Sequence, residues 1–177
     1  MHISARQIYI LLISGGRSGK GMEKTYSYDD LIAGRVEACQ VLEPMYDLVD
    51  LSDGAAYERS MQPFSRPMRL LFAVDSYMAE VYNGGHDQFF FNSTGVVWKD
   101  ALEGLEAIGS KEAYAILKRV IGRFECEIPD DADARRDMMD EIEDGLFDED
   151  DQAFYDMSED LSQMENAYIQ RSADALV

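Results

Sequence analysis

A chain of 177 residues, 46% of them hydrophobic, is long enough to bury a core of its own and too short for two large domains, so it should fold without staples. Its 35 aspartates and glutamates against 16 lysines and arginines give a formal charge of −19, which argues against nucleic acid or anionic membranes as direct ligands and favours basic partners. Cys39 and Cys126 lack any metal-type spacing, which points to two reduced thiols and a cytoplasmic protein, not a disulfide framework.

Residues 1–21 read as an N-terminal extension. Ile8 to Ile13 form an apolar run behind Arg6, but it is too short to span a membrane and has no small-residue cleavage signal, and the polar SGGRSGKG follows. Met22 is an alternative start, which leaves residues 22–177 as a single helical domain. GGRSGKG is not a phosphate loop: Ser14 replaces the required glycine, and Gly21 stands where a magnesium-binding hydroxyl should follow Lys20.

Apolar residues then recur at steps of three and four, the signature of one buried stripe per helix. The stripes are Ile32, Val36, Cys39 and Leu42; Leu71, Val74, Met78 and Val81; Val97, Ala101, Leu105 and Ile108; Tyr114, Leu117, Ile121 and Phe124; and a long one through Phe154, Met157, Leu161, Met164 and Tyr168. Ser27 is expected to cap the first helix, Pro44 to end it, Pro67 to open the next, Gly109-Ser110 to separate two helices, and Pro129 to close another. Strand-like alternation is scarce, so the predicted fold is all-α: a compact multi-helix domain with an acidic C-terminal helical segment.

That segment, residues 125–165, holds 18 acids opposed only by Arg135 and Arg136, and so carries −16 of the −19. Met138, Met139, Ile142, Leu146 and Phe147, with the long stripe behind them, supply enough apolar surface to anchor two helices with acidic outer faces. Asp148 to Asp151 should open the last helix, where the backbone dipole favours each acid by roughly 0.3 to 1 kcal/mol. DEIEDG, from Asp140 to Gly145, has Ile142 where a calcium loop needs an oxygen ligand. His2 and His86 belong to no zinc motif, and no serine sits in a nucleophile elbow, so no catalytic residue, metal or cofactor is assigned.

The densest polar stretch is EVYNGGHDQFFFNSTG, residues 80–95. Gly84 and Gly85 allow a helix ending near Tyr82 to turn sharply into a second one. Asn83, Gln88 and Asn92 are expected to bond the orphaned backbone groups of that corner, Glu80 to accept from the same N–H groups, and Phe89, Phe90 and Phe91 to enter the core. A small-ligand or catalytic site using Glu80, His86 and Gln88 stays open as the alternative, and it would need one deep pocket holding all three.

Glu80, Asn83, Gly84, Gly85, Gln88, Phe89, Asn92, Ser93 and Gly95 also match a signature, E-x-x-N-G-G-x-x-Q-[FY]-x-x-N-S-x-G. By these residues the chain resembles a bacterial family long listed as a domain of unknown function. The resemblance runs over residues 64–124. The family's best-known member is an acidic, dimeric, mainly helical DNA mimic that occupies the DNA-binding face of a transcription factor. The resemblance therefore implies a non-enzymatic binding protein, a basic partner such as a DNA-binding regulator, and a homodimer. The long stripe ending at Tyr168 points the same way on self-association. The acids expected to meet the partner are Asp130, Asp131, Asp133, Asp137, Asp140, Glu141, Asp144, Asp148, Glu149, Asp150, Asp151, Asp156, Glu159 and Asp160. Neutralising a basic toxin domain would use the same surface.

Overall fold

The computed structural model describes residues 26–176, and these contain helices and no strands. In chain order the helices are α1 (Tyr28–Ile32), α2 (Ala38–Leu48), α3 (Gly54–Met61), α4 (Arg66–Phe91), then a 3-10 turn (Ser93–Val97), α5 (Trp98–Ile108), α6 (Glu112–Ile121), α7 (Ala132–Asp140), α8 (Asp148–Tyr155), α9 (Leu161–Arg171) and α10 (Ala173–Leu176). The expected all-α fold is what these elements build. The proposed extension, residues 1–21, lies outside the described residues.

Helix α4 is the axis of the molecule. Its apolar residues are buried on several sides, with Leu71, Val74, Tyr77, Val81, Phe89 and Phe90 all fully enclosed, because α2, α5, α7, α8 and α10 pack around it. A helix wrapped in this way draws its stability from tertiary burial more than from local propensity. Aromatic rings fill the centre: Tyr77 meets Phe89 and Phe154 edge-on at 5.1 and 5.5 Å, and Phe90 meets Phe89 and Phe124 at 4.9 Å. Such edge contacts add about 0.5–1.5 kcal/mol each beyond the area they bury.

Several expected boundaries hold. The Ser27 side chain accepts from the Asp30 backbone N–H, Pro67 sits in the first turn of α4, and Gly109 closes α5 in the left-handed conformation with φ 93°. Others need correction. The first stripe belongs to two helices, since Gly34 at φ 64° follows the short α1, and in α2 the buried set is Ala38, Val41, Leu42 and Met45 while Cys39 faces out. Pro44 lies inside α2 instead of ending it. A proline there removes one helical hydrogen bond at a cost of roughly 3 kcal/mol, and the fully buried Leu42 and Met45 on either side offset that cost.

Pro129 closes no helix either. α6 stops at Ile121, with Gly122 as its cap, so Phe124 packs from the connection that follows. The acidic segment contributes three helices, not two, because the long stripe breaks after Tyr155. Asp160 caps α9 by accepting from the Gln163 N–H at 3.0 Å, and Glu159 is drawn away to another helix end. Phe154, Leu161 and Tyr168 of that stripe are buried within the chain, while Met157 and Met164 are partly buried.

Candidate functional site

The Asn-Gly-Gly corner is a kink in α4. Gly84 has φ −164° and ψ 27°, and Gly85 has φ 75° and ψ −174°, so the chain leaves helical geometry for two residues and then resumes it. Gly85 takes a conformation that a side chain resists. It is also pressed against α8: a Cβ at Gly85 would sit 2.8 Å from the Asp151 carboxyl carbon.

Glu80 is the hub of the corner, though its partners are not the backbone groups expected. Its carboxylate accepts from Gln88 Nε2 at 2.7 Å, Asn92 Nδ2 at 2.9 Å and Thr94 Oγ1 at 2.5 Å, which ties both limbs of α4 and the 3-10 turn together. Side-chain donors replace backbone donors because the helical bonds resume beyond the kink, where the Asn92 N–H already bonds to the Gln88 carbonyl. Asn83 is exposed. Phe89 and Phe90 are fully buried as expected, but Phe91 is 42% exposed on the far side of the same helix.

His86 belongs to a separate network. Fully buried, it contacts the Tyr77 hydroxyl through Nε2 at 2.8 Å and the Asp151 carboxylate through Nδ1, while its backbone N–H donates to the same Asp151 oxygen at 2.8 Å. With Nδ1 donating to the carboxylate, Nε2 is left to accept from Tyr77, and every polar atom of the ring is satisfied. Glu80 and Gln88 therefore face one network and His86 another. Two cavities, of about 310 and 320 Å³, border Glu58, Arg66 and Arg69, the first also reaching Tyr57 and Asp100, and none of the three corner residues is among their walls.

The acidic segment is fastened to this corner by buried charge. Arg135 of α7 has no exposed surface, and its guanidinium donates to the carbonyls of Phe90 at 2.9 Å, Asn92 at 3.0 Å, Ser93 at 3.2 Å and Pro129 at 3.0 Å. It thus caps the C-terminus of α4, where orphaned carbonyls and the helix dipole both favour a cation. Gly95 makes room for it, since a Cβ there would lie 2.6 Å from Arg135 Nε.

The expected partner-binding acids divide into two sets. Asp130, Asp131, Asp133, Asp137, Asp140, Glu141, Asp144, Asp148, Glu149, Asp156 and Asp160 are exposed. Asp131 also caps α7 through the Ala134 N–H, and Asp130 meets Lys99 at 3.1 Å. Asp150, Asp151 and Glu159 turn inward. Asp150 is 1% exposed and accepts from Arg119 Nε at 3.0 Å and Arg123 Nε at 2.5 Å, so the acidic start of α8 is an ion-paired anchor on α6 as well as a favourable dipole position. Glu159 accepts from Ser110 Oγ and the N–H groups of Lys111 and Glu112, which caps α6 from outside; burial pushes its carboxyl up, but these bonds hold it below the usual range. Crowding is strongest beside the corner. Asp87 sits above the normal carboxylate range, through its own partial burial and then through Asp151, Asp148 and Asp144.

Sequence reasoning missed two features. One is the cluster around Asp100, which is 5% exposed and accepts from Tyr57 at 2.6 Å, Arg66 at 2.9 Å and Arg69 at 2.5 Å, with Glu58 and Glu103 completing the arginine forks. Its signal was present: Arg66 and Arg69, and Asp100 and Glu103, are pairs three apart on two helices. The other is Glu165, counted only as one of the acids of that segment, which is 2% exposed with Oε1 lacking a hydrogen-bond partner. Burial, and then the negative Asp75, push its carboxyl up to about 8.

Among the described residues, no group of three histidines, cysteines or acids is arranged to hold a metal ion, and no helix is long and apolar enough to cross a membrane. Searches of curated proteins and of solved structures returned no match. The family comparison did return one. The model for DMP19-like proteins matches residues 62–172, a span that takes in the kinked helix, the Arg135 clasp and the whole of the acidic segment. The chain belongs to the DMP19-like protein family.

Proposed function

We propose that this protein is a non-enzymatic DNA mimic, which presents its acidic C-terminal face to the basic DNA-binding surface of a regulator or another nucleic-acid-binding protein. The observation that carries the reading is that the exposed acids of α7 and the turn after it stand on a clasped framework. Asp133 and Asp137, then Asp140, Asp144 and Asp148, follow one another at steps of three or four, beside an Arg135 whose charge is spent inside. Along α7, four residues advance about 6 Å, so Asp133, Asp137 and Asp140 repeat their charge at close intervals, with Asp144 in the turn that follows and Asp148 opening α8. A fixed row loses less entropy on binding than a tail of the same charge. Family membership supports the same conclusion.

The enzyme reading finds no comparable support. It required Glu80, His86 and Gln88 in one deep pocket, whereas His86 is fully buried and bonded to Tyr77 and Asp151.

Affinity capture from bacterial lysate at low salt, followed by a salt gradient, tests the proposal. A basic nucleic-acid-binding protein should be retained and then released by salt, and the chain itself should not shift a DNA duplex in a gel. Direct retardation of DNA, or a neutral partner indifferent to salt, would count against mimicry.

A further inference from the structure

Tyr82, at the end of the first limb of α4, and Tyr155, the last residue of α8, form a stacked pair at the surface. Their ring centroids are 6.3 Å apart with planes 29° from parallel, and the residues are 56% and 46% exposed. Both rings are braced from within. Tyr82 meets the buried Phe154 edge-on at 5.1 Å, and the Tyr155 hydroxyl donates to the Val81 carbonyl at 2.8 Å. Rigid, exposed aromatic surface of this kind binds with little loss of side-chain freedom.

Several aromatic faces elsewhere lie under the molecule's own cations. Arg69 lies over Tyr57 at 5.0 Å, Lys99 over Trp98 at 5.3 Å, Lys118 over Tyr114 at 5.6 Å, and Arg171 over Tyr168 at 4.9 Å. Among the described residues, the Tyr82–Tyr155 pair has no such cation, and carboxylates adjoin it instead. Asp151 lies one turn before Tyr155 on α8 and acts on its hydroxyl, which burial and then this negative charge raise above the normal range. Asp156 follows Tyr155 and is exposed. A negative field beside two half-exposed rings suits a planar guanidinium, which stacks and forks, better than a compact and strongly hydrated ammonium.

We infer that the Tyr82–Tyr155 pair is an arginine-binding point on the acidic face, where a partner's guanidinium stacks on the rings while neighbouring carboxylates accept its N–H groups. This inference rests on the acidic-face reading above and adds a chemical preference to it: the partner meets this point through arginine, not lysine. Long-range attraction alone does not distinguish the two cations, so the preference separates the aromatic site from the field around it.

The test compares octa-arginine and octa-lysine peptides at one ionic strength, titrated by anisotropy into the wild type, Tyr82→Ala and Tyr82→Phe. The arginine-to-lysine affinity ratio should fall about two- to fivefold in Tyr82→Ala, stay near wild type in Tyr82→Phe, and leave octa-lysine binding unchanged throughout. Tyr82→Leu keeps an apolar contact with Phe154 and should repeat the alanine result, which excludes a loosened corner as its cause. An unchanged ratio in both Tyr82→Ala and Tyr82→Leu, with both peptides still bound, would overturn the arginine site and leave the acidic face standing. Failure of the wild type to bind either peptide would overturn the acidic face and, with it, this inference.

Discussion

Arg135 reaches the end of the long helix across the open face of Gly95: its Nε donates to the Phe90 carbonyl at 2.9 Å, and a Cβ on Gly95 would lie 2.6 Å from that Nε. One residue comes from the acidic segment and the other from the polar signature, so the two sequence features that looked independent are joined in one clasp. Arg135→Met, which keeps the length but not the donors, should cost about 2–4 kcal/mol, because several buried carbonyls lose their partner at once. Gly95→Ala should destabilise in the same direction. Chemical denaturation of both variants checks this, and the unchanged slope expected for a local loss distinguishes it from a collapse of cooperativity.

The two glycines of the kink should not be equivalent. Gly85 combines φ 75° with contact to Asp151, so Gly85→Ala should lower stability by about 1–3 kcal/mol and loosen the bond to His86. At Gly84, where φ is −164°, a Cβ would meet only the Gln88 side chain, which can shift at the expense of its bond to Glu80, so Gly84→Ala should cost less. Thermal melts of the pair provide the comparison, and equal losses would contradict the asymmetry.

Asp150→Asn should detach α8 from α6. The carboxylate is almost completely buried between Arg119 and Arg123, and removing its charge leaves two guanidiniums facing an amide. A loss of roughly 1–3 kcal/mol is expected, with the larger effect on hydrogen-exchange protection within α8. Asp148→Asn, two residues earlier in the same acidic run and exposed, should change stability by less than about 0.5 kcal/mol.

Glu165 predicts an unusual dependence on pH. Its carboxyl is raised from 4.5 to about 8 on folding, so the folded chain holds this proton more tightly than the unfolded chain does. The stability this contributes is complete below pH 4.5 and is lost as pH rises through about 8, on the order of a few kcal/mol in all. Glu165→Gln lacks that loss. It should therefore melt higher than the wild type at pH 8 and lose the advantage near pH 4.5, as a series of melts across that window would show.

The helices were legible where a stripe, a cap and a breaker agreed, as at Ser27, Pro67 and Gly109. Pro44 and the stripe from Phe154 to Tyr168 misled because local rules lost to tertiary ones: a buried Leu42 and Met45 carried α2 through its proline, and Glu159 left its own segment to cap α6. Double glycine and crowded polar groups marked the corner correctly as a turning point. Its wiring was not legible, since Asp151 and Arg135 arrive from 66 and 40 residues beyond Gly85 and Gly95, and a linear reading has no way to pair them. The same limit explains why Asp150 looked like surface charge.

DNA mimicry itself is tested most directly by competition. A nucleic-acid-binding protein captured by this chain is loaded onto a labelled duplex, and release of the duplex is followed as the wild type or the Asp137→Lys, Asp140→Lys, Asp144→Lys, Asp148→Lys variant is added. All four acids are exposed and outside the Arg135 and Asp150 anchors, so the variant should keep its fold by circular dichroism. The account predicts that the wild type displaces the duplex, less so as salt is raised, and that the fourfold reversal does not displace it. A partner that the reversed variant still binds equally well at high salt, or that keeps its duplex while bound to the wild type, would contradict it.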